Sequence, residues 1–205
     1  MNNEHKQAIN EKFMELLQFE PWNQATLEKA CGEAGFNPDY IDVVYPGKIE
    51  EFTKEFVQGC NSQAFLKAKE NWAALKTTKK VEEIIFQRIC QYHFKLKNLE
   101  GLKKFLSYSA TPSHIHASLK NIYDFSSEVW YELGDRSVDI SYYTKRLSLS
   151  AIYSKSMLYS LSDKSDNLHQ TREFIQKSID GLMKINKLKQ KVNEIINIIP
   201  FKFRA

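Results

Sequence analysis

An all-α fold is what this sequence predicts, on three observations. Glycine (7) and proline (5) are scarce among the 205 residues, too few for the many turns of a β fold. Apolar residues recur at helical spacing along the chain, and no stretch alternates with the period of two that a half-buried strand needs. The breaks between periodic runs consist of Gly, Pro and Asx/Ser clusters, which stop one helix or start the next.

Taken in order, Ile9, Phe13, Leu16 and Leu17 form a first stripe that ends at Glu20-Pro21-Trp22. Thr26 is placed to cap a second helix ending near Gly35. A short helix follows Asn37, and Tyr45-Pro46-Gly47 turns the chain into a longer helix from about Lys48 with Phe52 and Phe56 on one face. Val81, Ile84, Ile85 and Ile89 mark the next helix, and breaks at 97–101 and 109–112 precede the stripe Leu119, Ile122, Tyr123. After Gly134-Asp135 a helix begins near Asp139, where an acid complements the helix N-terminus. Residues 162–167 separate it from a final run carrying Ile175, Ile179 and Leu182, a stripe suited to a dimer contact or to core. The expected organisation is a helix-turn-helix-like part over 1–60, a helical bundle over 61–187 and an amphipathic segment over 188–205.

The spacing of the short helices before residue 45 resembles the DNA-binding end of TetR-type repressors, so a TetR-type transcriptional regulator is the alternative reading. Its chemistry is poor for that task. The stretch NPDYIDVVYP offers Asp39 and Asp42 and no basic residue, whereas major-groove docking needs Lys or Arg on phosphates and Arg, Asn or Gln on base edges. Residues 1–60 hold 5 basic against 11 acidic side chains, residues 61–125 hold 11 against 5, and residues 126–205 hold 13 against 9. The acidic end is the one that would meet DNA, and no nucleic-acid partner is expected.

Signals for catalysis are missing. Cys31, Cys60 and Cys90 are odd in number and widely spaced, against both a disulfide framework and a zinc ribbon. His114 and His116, or Asp166 with His169, have no third ligand at a matching spacing, so no metal is expected. There is no Gly-x-Ser-x-Gly elbow and no phosphate-binding glycine loop. Cys60 and Cys90 are expected to pack as small hydrophobes. The expectation is a non-enzyme without a cofactor. Residues 1–13 have no apolar core for a signal peptide and carry acids that a mitochondrial presequence avoids, which points to a bacterial cytoplasmic protein.

Two segments suggest surfaces. Leu188, Val192, Ile195, Ile196 and Ile199 fall on one helical face, followed by Phe201, Lys202, Phe203 and Arg204, as in a helix lying on anionic membrane or in a last core helix. In the helix after Asp139, Ile140, Tyr143, Leu147 and Ala151 form one stripe, assigned to the core. Tyr142, Arg146, Leu149 and Tyr153 form a second, whose Tyr and Arg suit an interface.

The ordered set Trp130, Gly134, Asp135, Ser137, Asp139, Tyr143, Thr144, Arg146, Leu149 and Tyr153, with Asp163-Lys-Ser165 beyond it, closely resembles the signature of the ubiquinone-biosynthesis accessory lipid-binding proteins of mitochondria and alphaproteobacteria. Weaker matches at Trp22, Tyr45-Pro46-Gly47, Cys60-Asn61 and Pro112 with Ile115 extend it over most of the chain. The resemblance implies a TetR-like all-α fold that has lost DNA binding. It also implies an isoprenoid or phospholipid guest, peripheral contact with the inner membrane, a homodimer, and a demethoxyubiquinone hydroxylase of the di-iron type as partner. Carried over, the docking face is Asp135, Asp139, Tyr142, Tyr143 and Arg146, Tyr142 standing where the family commonly has Trp. The membrane contact falls on Leu188, Val192, Ile195, Ile196, Ile199, Phe201 and Phe203. Phe86, Ile89, Phe105, Leu106, Leu119, Ile122, Trp130, Leu147, Met157 and Leu158 supply enough apolar bulk to line a lipid pocket, or to fill an ordinary core.

Overall fold

The structure, a computed structural model, describes residues 2–70 and 72–198; the side chains of Asn2 and of residues 185–198 are not described. Among the described residues there are nine α-helices and no strand: α1 (Asn2–Leu16), α2 (Gln24–Glu33), α3 (Ile41–Val44), α4 (Lys48–Lys69), α5 (Thr77–Leu96), α6 (Leu99–Ser109), α7 (Ile115–Glu132), α8 (Ile140–Ser160) and α9 (His169–Ile198). Short 3-10 turns at Pro38–Tyr40, Trp72–Ala74 and Asp166–Leu168 connect them.

The first expected helices are present, with one difference at the cap. Asn23, and not Thr26, caps α2: its side chain accepts from the Thr26 N–H at 2.9 Å, while the buried Thr26 hydroxyl donates to the Pro21 carbonyl at 2.7 Å. An extended residue three positions before the N–H satisfies an orphan donor better than one already inside the turn.

Trp22 organises the N-terminal half. Its ring meets Phe13 and Phe56 edge-on at 4.9 and 5.2 Å and Phe105 of α6 at 5.0 Å, and its indole N–H donates to Thr53. Residues before and after position 60 therefore share one continuous apolar core. α5 runs through the middle and is buried on nearly all sides, including Ile84, Ile85, Ile89 and, among polar groups, Arg88 and Gln91. Lys97 in the left-handed region ends it, and Asn98 caps α6 through the Gly101 N–H. A side chain at Gly101 would stand 2.9 Å from the Leu96 carbonyl, so this tight α5–α6 corner requires glycine. In α9, Ile175 and Ile179 face this same core, which places that stripe inside the molecule; the helix continues without a break through residue 188.

Candidate functional site

The stretch from Gly134 to Arg146 is built as an internally bonded corner. α7 ends as Gly134 takes a left-handed φ of 76° and the amides of Gly134 and Asp135 return to the carbonyls of Tyr131 and Trp130, both at 2.9 Å. That turn drops Asp135 into the gap between α7 and α8. There its carboxylate accepts from Lys145 Nζ at 2.6 Å, Ser137 Oγ at 2.7 Å and Arg146 Nη1 at 3.2 Å. Arg146 also donates to the Tyr142 carbonyl at 3.0 Å and covers the Tyr142 ring at 3.3 Å. Asp139 caps α8 through the Ser141 N–H, as expected of an acid at that position.

Burial pushes the Asp135 carboxyl upward, but hydrogen bonds from Lys145, Ser137 and Arg146 outweigh it and hold its pKa at about 2. The side chains of Asp135 and Arg146 are only 6% and 5% exposed. A charge in that position braces the fold and offers nothing to a visitor.

The two stripes of α8 are thus the reverse of the sequence expectation. Arg146, Leu149 and Tyr153 are buried, together with Ile152 and Met157, whereas Ile140 (80%), Tyr143 (58%) and Leu147 (59%) lie exposed with Ala151 and Leu158 along the outer face. Of the five residues expected at a docking face, Asp135 and Arg146 point inward, Tyr142 is half-buried beneath Arg146, and Asp139 and Tyr143 are at the surface. The physical reason is that Arg146 finds its counter-charge within the chain, which pulls its whole stripe inward.

The ten residues expected around a lipid divide similarly. Phe86, Ile89, Phe105 and Met157 are buried, and Leu106, Ile122 and Trp130 pack against the core. Leu119, Leu147 and Leu158 are exposed and do not line the interior. Two clefts on the surface, one of about 600 Å³ between α1, α4 and the end of α5 and one of about 370 Å³ beside Glu82 and Arg172, contain none of the ten. Of the membrane set, Leu188, Val192, Ile195 and Ile196 are on α9 with side chains outside the described residues, and Ile199, Phe201 and Phe203 lie outside them altogether. Among the described residues no helix is long and apolar enough to cross a membrane.

Cys60 is fully buried, and burial raises its thiol to about 12; Cys90, half-buried, is raised to about 11, also by burial. Neither is a thiolate at neutral pH, in line with their packing role. The Asp163-Lys-Ser165 run leads into the 3-10 turn before α9. Asp163 accepts from the Thr171 N–H at 2.7 Å and the Ser165 N–H at 2.8 Å, and from both hydroxyls. Burial raises this carboxyl, and the hydroxyl and amide donors bring it down to about 2. Removing such a cap costs about 1–2 kcal/mol. Asp163→Ala should lower the urea midpoint accordingly without changing the slope of the transition.

Sequence reasoning missed Arg88, which is 1% exposed and lies against the rings of Phe125 and Tyr153. The available signal was a single cation inside the apolar run of α5, in IIFQRICQY. Residues 38–44, the stretch that would enter a DNA groove, expose Asp39, Asp42 and Val43, so their outer face is acidic and apolar.

Comparison with known proteins places these helices. Residues 115–186, which comprise α7, α8 and the first half of α9, match the family model described as COQ9. A probable ubiquinone biosynthesis protein coq9, mitochondrial, of Dictyostelium discoideum is 27% identical over 95% of this chain and 65% of its own length. The ubiquinone biosynthesis protein coq9, mitochondrial, of Schizosaccharomyces pombe is 31% identical over 65% of this chain and 55% of its own. The chain thus spans less than two thirds of the length of these relatives. A crystal structure of a TetR transcriptional regulator from Nitrosomonas europaea superposes with a TM-score of 0.69 over 85% of this chain and 95% of that one, at 14% identity, which establishes the fold. The expectation of a bacterial cytoplasmic protein is overturned, because the matching relatives are mitochondrial proteins. That expectation rested on the composition of residues 1–13, which describes those residues alone. The helices that carry the Asp135–Arg146 corner are those by which this TetR-like, all-α chain is related to the COQ9 ubiquinone-biosynthesis proteins.

Proposed function

We propose that this protein is a non-catalytic accessory of ubiquinone biosynthesis in mitochondria, which holds an isoprenoid or phospholipid guest and brings a demethoxyubiquinone intermediate to its hydroxylase. The observation that carries the reading is a coincidence of place. The family match covers α7 and α8, and α8 is where an apolar stripe of Ile140, Tyr143, Leu147 and Leu158 stands in solvent beside a loop locked by buried charges. An apolar stripe on a rigid frame costs little to order on binding, as a docking surface requires.

The hydroxylase surface is accordingly assigned to Tyr143, Asp139 and the outer stripe of α8, with Asp135 and Arg146 as its internal support. The buried apolar residues Phe86, Ile89, Phe105 and Met157, with Leu106, Ile122 and Trp130 against them, are where a guest chain would lie. The amphipathic end of α9 supplies the membrane contact, and a second copy of the chain the homodimer. DNA is not the partner proposed, since the exposed face of residues 38–44 would set Asp39 and Asp42 against phosphates.

Deleting the gene in its native cell, followed by extraction and separation of quinones, tests the reading. Depleted ubiquinone with an accumulating demethoxy intermediate is the expected result. Unchanged ubiquinone overturns it.

A further inference from the structure

Among the described residues Arg88 is the most deeply buried cation, 1% exposed at the centre of α5. The rings of Phe125 on α7 and Tyr153 on α8 cover it at 4.0 and 4.3 Å. Its Nη2 donates to Asn121 Oδ1 at 3.1 Å, a neutral acceptor, while Nε and Nη1 have no partner. Among the described residues no carboxylate lies within ion-pair distance of it. Tyr92 and Tyr153 sit in its field, and the Tyr92 hydroxyl is near enough for a side-chain hydrogen bond with it, but burial raises the pKa of both phenols, so neither is an anion at neutral pH and neither supplies a counter-charge. Glu128, at the surface with its carboxyl partly desolvated, feels the guanidinium only as a minor influence; that desolvation and the neighbouring Glu132 raise its pKa.

A guanidinium stays protonated in proteins, and an unpaired buried cation is costly; two aromatic faces offset part of that cost. Purely structural demands would be met better by an apolar side chain of the same length. Gln91 Nε2 on α5 and Ser156 Oγ on α8, both buried, also lack partners. Ile89 and Met157 are buried on the same two helices and supply apolar surface there. A charged head with an oily continuation fits such a site.

We infer that Arg88 anchors the oxyanion head of an amphiphile, a carboxylate or phosphate that carries an apolar chain, inside the bundle between α5, α7 and α8. This rests on the lipid-binding reading above and adds to it which end of the guest is held, and by what. The head meets the guanidinium at Nε and Nη1, the buried donors left without a geometric partner.

The test measures binding of dodecyl phosphate, dodecanol and inorganic phosphate to the full chain by calorimetry, the amphiphiles below their micelle concentrations. Dodecyl phosphate should bind about 10–100-fold more tightly than dodecanol, the factor expected for charge-assisted hydrogen bonds in a buried site. In Arg88→Met that preference should vanish while dodecanol binding persists, and the ligand-free thermal midpoint should rise by about 2–4 °C or more. Arg88→Gln, which keeps a donor and loses the charge, makes the same comparison if the methionine variant does not fold. Equal binding of the two amphiphiles by the parent protein, or a preference that survives in both variants, overturns the role of Arg88 and leaves the lipid reading intact. Inorganic phosphate binding as tightly as dodecyl phosphate overturns the amphiphile as ligand. Failure of both amphiphiles to bind defeats the lipid reading itself.

Discussion

Arg146→Glu should unfold much of the protein at physiological temperature and should not act as a selective docking mutant. The substitution takes away the guanidinium that meets Asp135 Oδ2 and the Tyr142 carbonyl, and sets a second carboxylate beside the first where both are nearly inaccessible. Breaking a buried pair from one side costs about 3–5 kcal/mol. For a chain of this size that is a fall in thermal midpoint of roughly 10 °C, readable by circular dichroism. The double variant Asp135→Asn, Arg146→Met removes both charges and should recover most of the loss. A midpoint unchanged in Arg146→Glu would mean that the corner does not brace the fold.

The same corner sets the response to acid. Asp135 and Asp163 are both held near pH 2 in the folded chain against an ordinary aspartate value near 4. A carboxyl depressed by folding binds its proton more readily in the unfolded chain. Its contribution is therefore complete above about pH 4 and disappears as the pH falls toward 2. Each carboxyl accounts for about 2 kcal/mol of that loss. Asp135→Asn should flatten the decline between those values while lowering stability at neutral pH.

Charge placed on the outer stripe of α8 should do the opposite: abolish docking and leave the fold intact. Tyr143→Lys and Leu147→Glu alter side chains that are more than half exposed and make no buried hydrogen bond. Surface changes of this kind usually shift stability by less than about 0.5 kcal/mol. In the interface, each would leave a desolvated charge without a partner where an aromatic or aliphatic anchor belongs. Loss of such an anchor costs about 2 kcal/mol or more, close to a 30-fold drop in affinity for the hydroxylase proposed as partner. Co-purification of the hydroxylase with tagged variants, read beside their melting curves, measures this. Undiminished capture by the Tyr143→Lys, Leu147→Glu double variant would remove the α8 face from the docking surface.

Much of the fold was legible because helices and their ends are local. The start of α8 at Asp139, the turn at Tyr45-Pro46-Gly47 and the corner before Gly101 follow from caps, glycine and proline that act within one turn. The signature around Gly134 was legible too, and it marked the helices that relate the chain to COQ9. The direction in which α8 faces was not. Its two stripes carry similar apolar content, so helical period alone cannot say which is inside. The seam was decided by Asp135, eleven residues before Arg146, which reaches it only because Gly134 bends the chain back over α7. Leu119, Leu147 and Leu158 were misplaced for the same reason: an apolar residue states a preference for burial, and the neighbouring helices decide whether burial is offered.

Sequence by itself determined that this chain is helical, where most of its helices break, and to which proteins it is related, since those properties are written in short-range spacing and in an ordered set of residues. Only the tertiary structure decided that Arg146 is a brace, that Tyr143 and Leu147 are the exposed face, and that Arg88 stands charged in the core. Burial and charge pairing are properties of how α5, α7 and α8 pack together, and such contacts join residues of different segments, from eleven positions apart for Asp135 and Arg146 to 33 for Arg88 and Asn121.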